Sequence, residues 1–251
     1  MRTPEMPAAR MPAEPARIGA LGRIIGALVS PRAAFADIAR RPGWVFPIVL
    51  LTAVCLVFNI VLATRVDWRQ TARDLLERTR QIERIPLDQV DQQLQAMEMG
   101  FKIQGYARGV LGSITLALLV SVVSLLVFNV IGGGGVPFKS VFAISSYAIL
   151  PLGLRELLAI FVAYLKEWGT VDALNPVASN VAAFLPSDAP MWQFSLGASV
   201  DLFALWMYLL LAIGFSAANP KKLPLGKALG LSFAMFLFFT ALGTGIAFLT
   251  G

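Results

Sequence analysis

The sequence contains no histidine, a single cysteine (Cys55) and few charges: only 14% of its 251 residues are Asp, Glu, Lys or Arg. Without histidine there is no Ser-His-Asp or Cys-His nucleophile, no His-ligated metal and no imidazole relay. One cysteine excludes an intrachain disulfide and a thiolate cluster. A soluble domain carries about 25% charged residues, so the charge deficit argues against a soluble enzyme of this size. What replaces the charge is apolar: 57% of the chain is hydrophobic. This composition rules out disorder and points to an integral membrane protein.

A bilayer core about 30 Å thick needs roughly 20 apolar residues in a helix. Five stretches meet this length: Trp44–Thr64, Val110–Ile131, Val141–Leu165, Trp192–Ala218 and Gly226–Leu249. Their apolar runs do not alternate with period two, which excludes a barrel. The expected fold class is therefore all-α, a polytopic bundle of five transmembrane helices. The third stretch holds Pro151, Arg155 and Glu156. Its halves on either side of the charges are too short to cross separately, so one span kinked at Pro151 is expected.

Outside the spans, residues 1–17 are Pro/Ala-rich and are expected to form a disordered tail. Residues 18–43 read as interfacial amphipathic helices. Leu21, Ile24, Ile25 and Leu28 share one face, and Ser30-Pro31 restarts the helix. The segment either lies at the headgroups or caps the bundle. Residues 44–251 then form the five-helix membrane domain, in which residues 65–109 are the one sizeable polar stretch. Trp68, Leu75 and Ile82, then Val90, Leu94, Met97 and Phe101, give two amphipathic helices of an external hairpin. Residues 166–199 carry Trp168, Phe184 and Trp192, suited to a lipid–water boundary. Basic residues near the spans set orientation. The N-terminal arm, the linker 132–140 and the segment 219–227 hold seven, one and three, against nine on the other side. This bias predicts a cytoplasmic N-terminus and an external C-terminus.

Ionisable residues within a membrane are costly and are paired or functional. Arg155, Glu156 and Asp201 fall at similar depth when counted along their spans. Neighbours in sequence point about 100° apart, so Arg155 is expected to pair with Asp201. Glu156 needs another donor, for which Tyr147 and Tyr208 are candidates. The group is either an interhelical tie or a polar site for an ion or small solute. Two small-residue stripes, Ser113/Ala117/Ser121 and Gly226/Gly230/Ala234, permit close helix approach, within the bundle or at a homo-oligomer face. Gly132–Gly135 lacks the Lys-Ser/Thr of a phosphate loop and reads as a tight turn. No catalytic set, metal site or cofactor motif is present. The net charge of +6 follows from the basic cytoplasmic face and does not imply nucleic acid.

Three segments carry a family resemblance. Ser30-Pro31-Arg32-Ala33-Ala34-Phe35-Ala36-Asp37-Ile38-Ala39 with Pro42-Gly43-Trp44 and Pro47 is the first. Gly133–Ser140 with Ser146-Tyr147-Ala148 and Pro151 is the second. Asp201-Leu202-Phe203 with Trp206 and Gly214 is the third. In order and spacing these resemble Yip-domain proteins, the Ypt/Rab-interacting membrane family, and the loop 65–109 resembles its bacterial branch. The resemblance implies five helices with the termini on opposite sides. Eukaryotic relatives are linked to small GTPases and traffic, a role that does not carry over to bacteria. The expected function is a non-enzymatic scaffold that organises lipid or partner proteins in a bacterial inner membrane. The alternative is a small-solute or ion transporter using Arg155, Glu156 and Asp201.

Overall fold

A computed structural model describes residues 18–186 and 189–250, so the expected tail 1–17 lies outside the described residues. Ten α-helices account for most of them: α1 (Ala20–Val29), α2 (Pro31–Arg40), α3 (Val45–Arg65), α4 (Trp68–Arg78), α5 (Val90–Ser124), α6 (Phe138–Ala148), α7 (Leu150–Leu165), α8 (Met191–Ser199), α9 (Leu202–Ala218) and α10 (Leu225–Thr250). A π-helical turn, Leu125–Ile131, continues α5. The protein is all-helical. Four segments are long and apolar enough to cross a membrane: Val45–Arg65, Val90–Ile131, Phe138–Leu165 and Leu225–Leu249.

The stretch expected as a fourth span, Trp192–Ala218, is instead broken. Helix α8 ends at Ser199 and α9 restarts at Leu202. The cause is Asp201. Its backbone is extended, and its carboxylate accepts the N–H groups of Phe203 and Ala204 at 3.0 Å each, so it caps α9 rather than continuing α8. Leu202 N–H also bonds the Ser179 carbonyl, pinning the break to the loop before α8. Helix α9 has 17 residues and measures about 25 Å at about 1.5 Å per residue.

The third stretch bends at Ile149, between α6 and α7, two residues before Pro151. Proline has no N–H to give the preceding turn, and Leu152 closes a tighter turn onto the Ile149 carbonyl. A second departure concerns α5. The second helix of the polar hairpin and the second span form one uninterrupted helix, because no proline lies between Phe101 and Val110 and Gly105 and Gly109 are packed against α3.

Helices α3 and α7 run in the same direction: Leu51 lies against Gly153, and the Arg65 guanidinium bonds the Ala163 and Lys166 carbonyls. Helix α5 runs antiparallel to α3, with Gly109 against Leu56 and Gly105 against Asn59. Its N-terminal turns project past the bundle and pair with α4, burying Ala72, Leu76 and Leu94. Helix α9 packs on α2, α6, α7 and α10, and its Phe215 stacks on Phe128 of the π-helical turn at 4.0 Å.

The N-terminal helices fold into a hairpin on this core. Arg23 bonds Asp37 at 2.8 Å, both largely buried. Phe35 and Ile38 of α2 are fully buried, Phe35 against Gly214 of α9. Helix α2 therefore packs one face on the core, whereas α1 leaves Leu21, Ile25 and Val29 exposed.

At the α5–α6 link, the four glycines are held rather than loose. Gly133 and Gly135 have φ of +65° and +63°, a region that side chains rarely adopt. A Cβ at Gly132 or Gly134 would collide with the Phe128 carbonyl at 2.5 and 2.7 Å. Asn129 both donates to and accepts from Val136, Asn219 donates to the Gly134 carbonyl, and the Lys227 ammonium donates to the Gly132 carbonyl.

Candidate functional site

The ionisable residues expected inside the membrane converge, together with one that the sequence did not single out. Arg155 Nη1 lies 3.7 Å from Asp201 Oδ1, an ion pair between α7 and the start of α9. Asp201 is 1% exposed. Its carboxylate is fully engaged: Ser179 Oγ donates to one oxygen, and the two capping N–H groups donate to the other. A buried charge costs several kcal/mol unless paired and hydrogen-bonded, and this set meets that condition. Asp201 is thus not a mid-helix residue, and its loop returns to the level of Arg155 through the Asn180–Asp201 bridge.

Glu156 does not use either expected tyrosine. Its partner is Arg108, whose Nη2 donates to Oε1 at 3.1 Å. Tyr147 is buried on another side of the bundle, where it lines a pocket with Arg23, Pro42 and Trp44. Tyr208 packs edge-on against Phe236. The reason is the continuous α5. It carries Arg108, a residue of the polar stretch 65–109, into register with α7. The Arg108 guanidinium also sits 5.9 Å above the Phe58 ring. On α3, Asn59 donates to the Cys55 carbonyl at 2.8 Å, and the Cys55 thiol faces the Arg108 carbonyl at 3.5 Å. Arg108, Asn59 and Cys55 are the residues that sequence reasoning missed. The available signal was Arg108's place two residues before an apolar run, on a stretch without proline.

The charges border two cavities. A cleft of about 790 Å³ lies between α3, α5 and α7, roofed by α4. Its walls are mostly apolar, with Asn59, Gln104, Arg108 and Glu156 forming a polar band. A smaller chamber of about 140 Å³ lies behind the Arg108–Glu156 pair and reaches Arg155, Asn175 and Asn180. Arg108 and Glu156 wall both spaces. Among the described residues, no group of three His, Cys, Asp or Glu is placed to hold a metal.

The two small-residue stripes separate. Ser113, Ala117 and Ser121 are buried in the bundle, with Ser121 Oγ donating to the Ala117 carbonyl. Gly226, Gly230 and Ala234 point outward, and a Cβ at either glycine meets nothing within 4 Å. Packing within the chain is therefore not their role. Helix α10 turns its other face inward: Ala228 and Met235 are buried, and Ser232 Oγ donates to the Tyr208 carbonyl.

No curated protein and no solved structure matches the chain. The model of the Yip1 domain matches residues 25–246, from the first N-terminal helix nearly to the end of α10. With that match spanning nearly the whole of an apolar, all-helical chain, the protein belongs to the Yip1 domain family and is a multi-pass membrane protein.

Proposed function

We propose that the protein is a non-enzymatic scaffold that organises partner proteins or lipids in the inner membrane of a bacterium. In this reading the N-terminus is cytoplasmic and the C-terminus external. The basic residues Lys139, Lys221, Lys222 and Lys227 gather at the linker end of the bundle, which supports placing that end in the cytoplasm.

One observation carries the scaffold reading. Along α5, from the turns that pair with α4 to those that pack on α3, Met99, Ile103, Tyr106 and Val110 remain about half-exposed or more. Their spacing of four, three and four puts them on one face, away from Leu94 and Phe101, which pack towards α4. An apolar stripe at this period is the pattern by which one helix docks on another. The charged residues support the same reading over transport. Arg108–Glu156 and Arg155–Asp201 tie helices that are distant in sequence, which is a structural use of intramembrane charge.

The test is photo-crosslinking in intact membranes from single positions on α5. Positions 99 and 103 are expected to yield the same discrete protein adduct, identified by mass spectrometry, and Gln93 on the flanking surface none. A stripe that yields no protein adduct, or one indistinguishable from that at Gln93, overturns the scaffold reading.

A further inference from the structure

We propose that the α1–α2 hairpin, together with the lysines at the linker end of the bundle, is a surface that gathers anionic phospholipids of the adjacent leaflet. The inference rests on the scaffold reading and names the class of lipid organised, at a surface apart from the α5 stripe. The ligand is a group of headgroups along the protein's margin, not one molecule in a pocket.

Three observations converge. The first is depth. Helix α3 has 21 residues, about 31 Å at about 1.5 Å per residue, which matches a hydrocarbon core about 30 Å thick. Its first residue, Val45, therefore marks one edge of that core, and the hairpin immediately precedes it. Trp44, at the join, packs edge-on against Phe142 at 5.1 Å, and tryptophan favours the headgroup level. Helix α2 lies near the same level along α9, with Phe35 against Gly214, four residues before that helix ends. The chain then enters the turn that bears Lys221 and Lys222, and the Lys227 ammonium donates to the Gly132 and Lys222 carbonyls.

The second observation is how the exposed surface of the hairpin is divided. Helix α1 exposes Leu21, Ile25 and Val29, each four residues apart. Helix α2 exposes Arg32, Ala33 and Arg40 and buries Phe35 and Ile38. An interfacial helix carries its apolar and basic surfaces on two sides of one rod; here they are shared between two helices of one hairpin.

The third observation is charge, with every carboxylate of these segments counted. Residues 18–43 hold four arginines, the linker 132–140 holds Lys139, and residues 219–227 hold three lysines. Asp37 is the one acidic residue in all three segments. It pairs with Arg23 at 2.8 Å and lies 3.9 Å from Arg41. Subtracting its charge leaves seven net positive charges. Arg32, Arg40 and the four lysines are exposed, and no carboxylate among the described residues pairs with them. An acidic soluble protein would match this charge but leave the α1 stripe in water. A neutral bilayer would cover the stripe but leave the charge unbalanced. A leaflet containing anionic phospholipid does both, and each basic residue near its surface adds to the attraction.

The test uses the full chain in nanodiscs of equimolar phosphatidylglycerol and phosphatidylethanolamine, with a bimane label at Ile25→Cys or Ala33→Cys in a Cys55→Ala background. One lipid class at a time carries a nitroxide quencher on its acyl chain. The label at position 25 is expected to be quenched by nitroxide lipid and shielded from aqueous iodide. At position 33, quenching by phosphatidylglycerol should exceed that by phosphatidylethanolamine about fivefold, the factor that one basic residue near an anionic surface supplies. Arg32→Gln with Arg40→Gln should bring this ratio below about twofold, and Arg32→Lys with Arg40→Lys should keep it, because the charge is retained. Sodium chloride at 1 M, where the screening length is about 3 Å, should lower the ratio in the same way with no substitution at the surface. Equal quenching by the two lipids, or a preference that survives both the glutamine pair and the salt, would overturn the inference. So would iodide quenching at position 25 without lipid quenching, which would leave the surface facing water and open to an acidic protein. None of these outcomes touches the α5 crosslinks, so the lipid preference can fail with the scaffold reading intact, and the reverse holds as well.

Discussion

The two ends of the bundle are held together in opposite ways. At the linker end, Gly132 and Gly134 leave no room for a side chain, Gly133 and Gly135 hold a positive φ, and Asn129, Asn219 and Lys227 bond backbone atoms of the turn. Closure there is steric and local. At the other end, charges reach across between helices, Arg108 to Glu156 and Arg155 to Asp201, and they do so beside open volume. A bundle whose turn is sterically closed at one end and whose charges border a cleft at the other can keep its fold while part of its surface binds something. The difference shows where mutation should affect folding and where it should affect binding.

The largest effect tests the one element of the open end that is itself closed. Asp201→Ala removes the α9 cap, the Ser179 acceptor and the Arg155 partner together. Breaking a buried pair costs about 3–5 kcal/mol, so a marked drop in thermal midpoint in nanodiscs is expected. Reversing the pair, Arg155→Asp with Asp201→Arg, restores opposite charges but cannot restore the cap, because arginine accepts no hydrogen bond. The swap should therefore recover only part of the loss. Full recovery would mean that the carboxylate acts as a charge and not as a cap.

The linker end should fail by overpacking. Gly132→Ala puts a Cβ 2.5 Å from the Phe128 carbonyl and 2.8 Å from Leu231, and overpacking of this kind costs about 1–3 kcal/mol. Gly133→Ala meets no atom within 4 Å but is forced to a φ of +65°, costing about 1–2 kcal/mol. Equal midpoints for these two variants and the wild type would show the turn to be mobile. The comparison between ends would then lose its steric half.

These contrasts mark what the sequence could and could not reveal. The apolar runs gave the long helices because length and hydropathy are local properties. The proline bend was legible for the same reason. The break at Asp201 was not, because the residues on either side are apolar; the cap on Phe203 and Ala204 is local, but the contacts with Ser179 and Asn180 that hold the break come from a distant loop. Arg155–Asp201 was reachable by counting residues along two spans. Arg108–Glu156 was not, since the polar composition of residues 65–109 hid the fact that α5 runs unbroken through them. Glu156→Gln isolates that pair. It keeps the shape and a hydrogen-bond acceptor for Arg108, so a loss of at most about 1 kcal/mol is expected, visible as a small shift in midpoint.

The smallest effect has the opposite sign. Periodicity tells which residues share a helix face, but not what covers that face. Gly226, Gly230 and Ala234 share one as surely as Ser113, Ala117 and Ser121 do, yet the first set is exposed and the second buried. Alanine at Gly230 meets no atom within 4 Å, lies inside a helix of 26 residues, and removes the backbone entropy that glycine loses there, worth about 0.5–1 kcal/mol. Gly230→Ala should therefore raise the midpoint of the single chain slightly. Gly214→Ala, whose Cβ would sit 2.5 Å from Ile144 and 2.9 Å from Phe35, should lower it. If Gly230→Ala is destabilising instead, the exposed stripe is covered by something outside the chain. A dependence of that loss on protein concentration would identify the cover as a second copy.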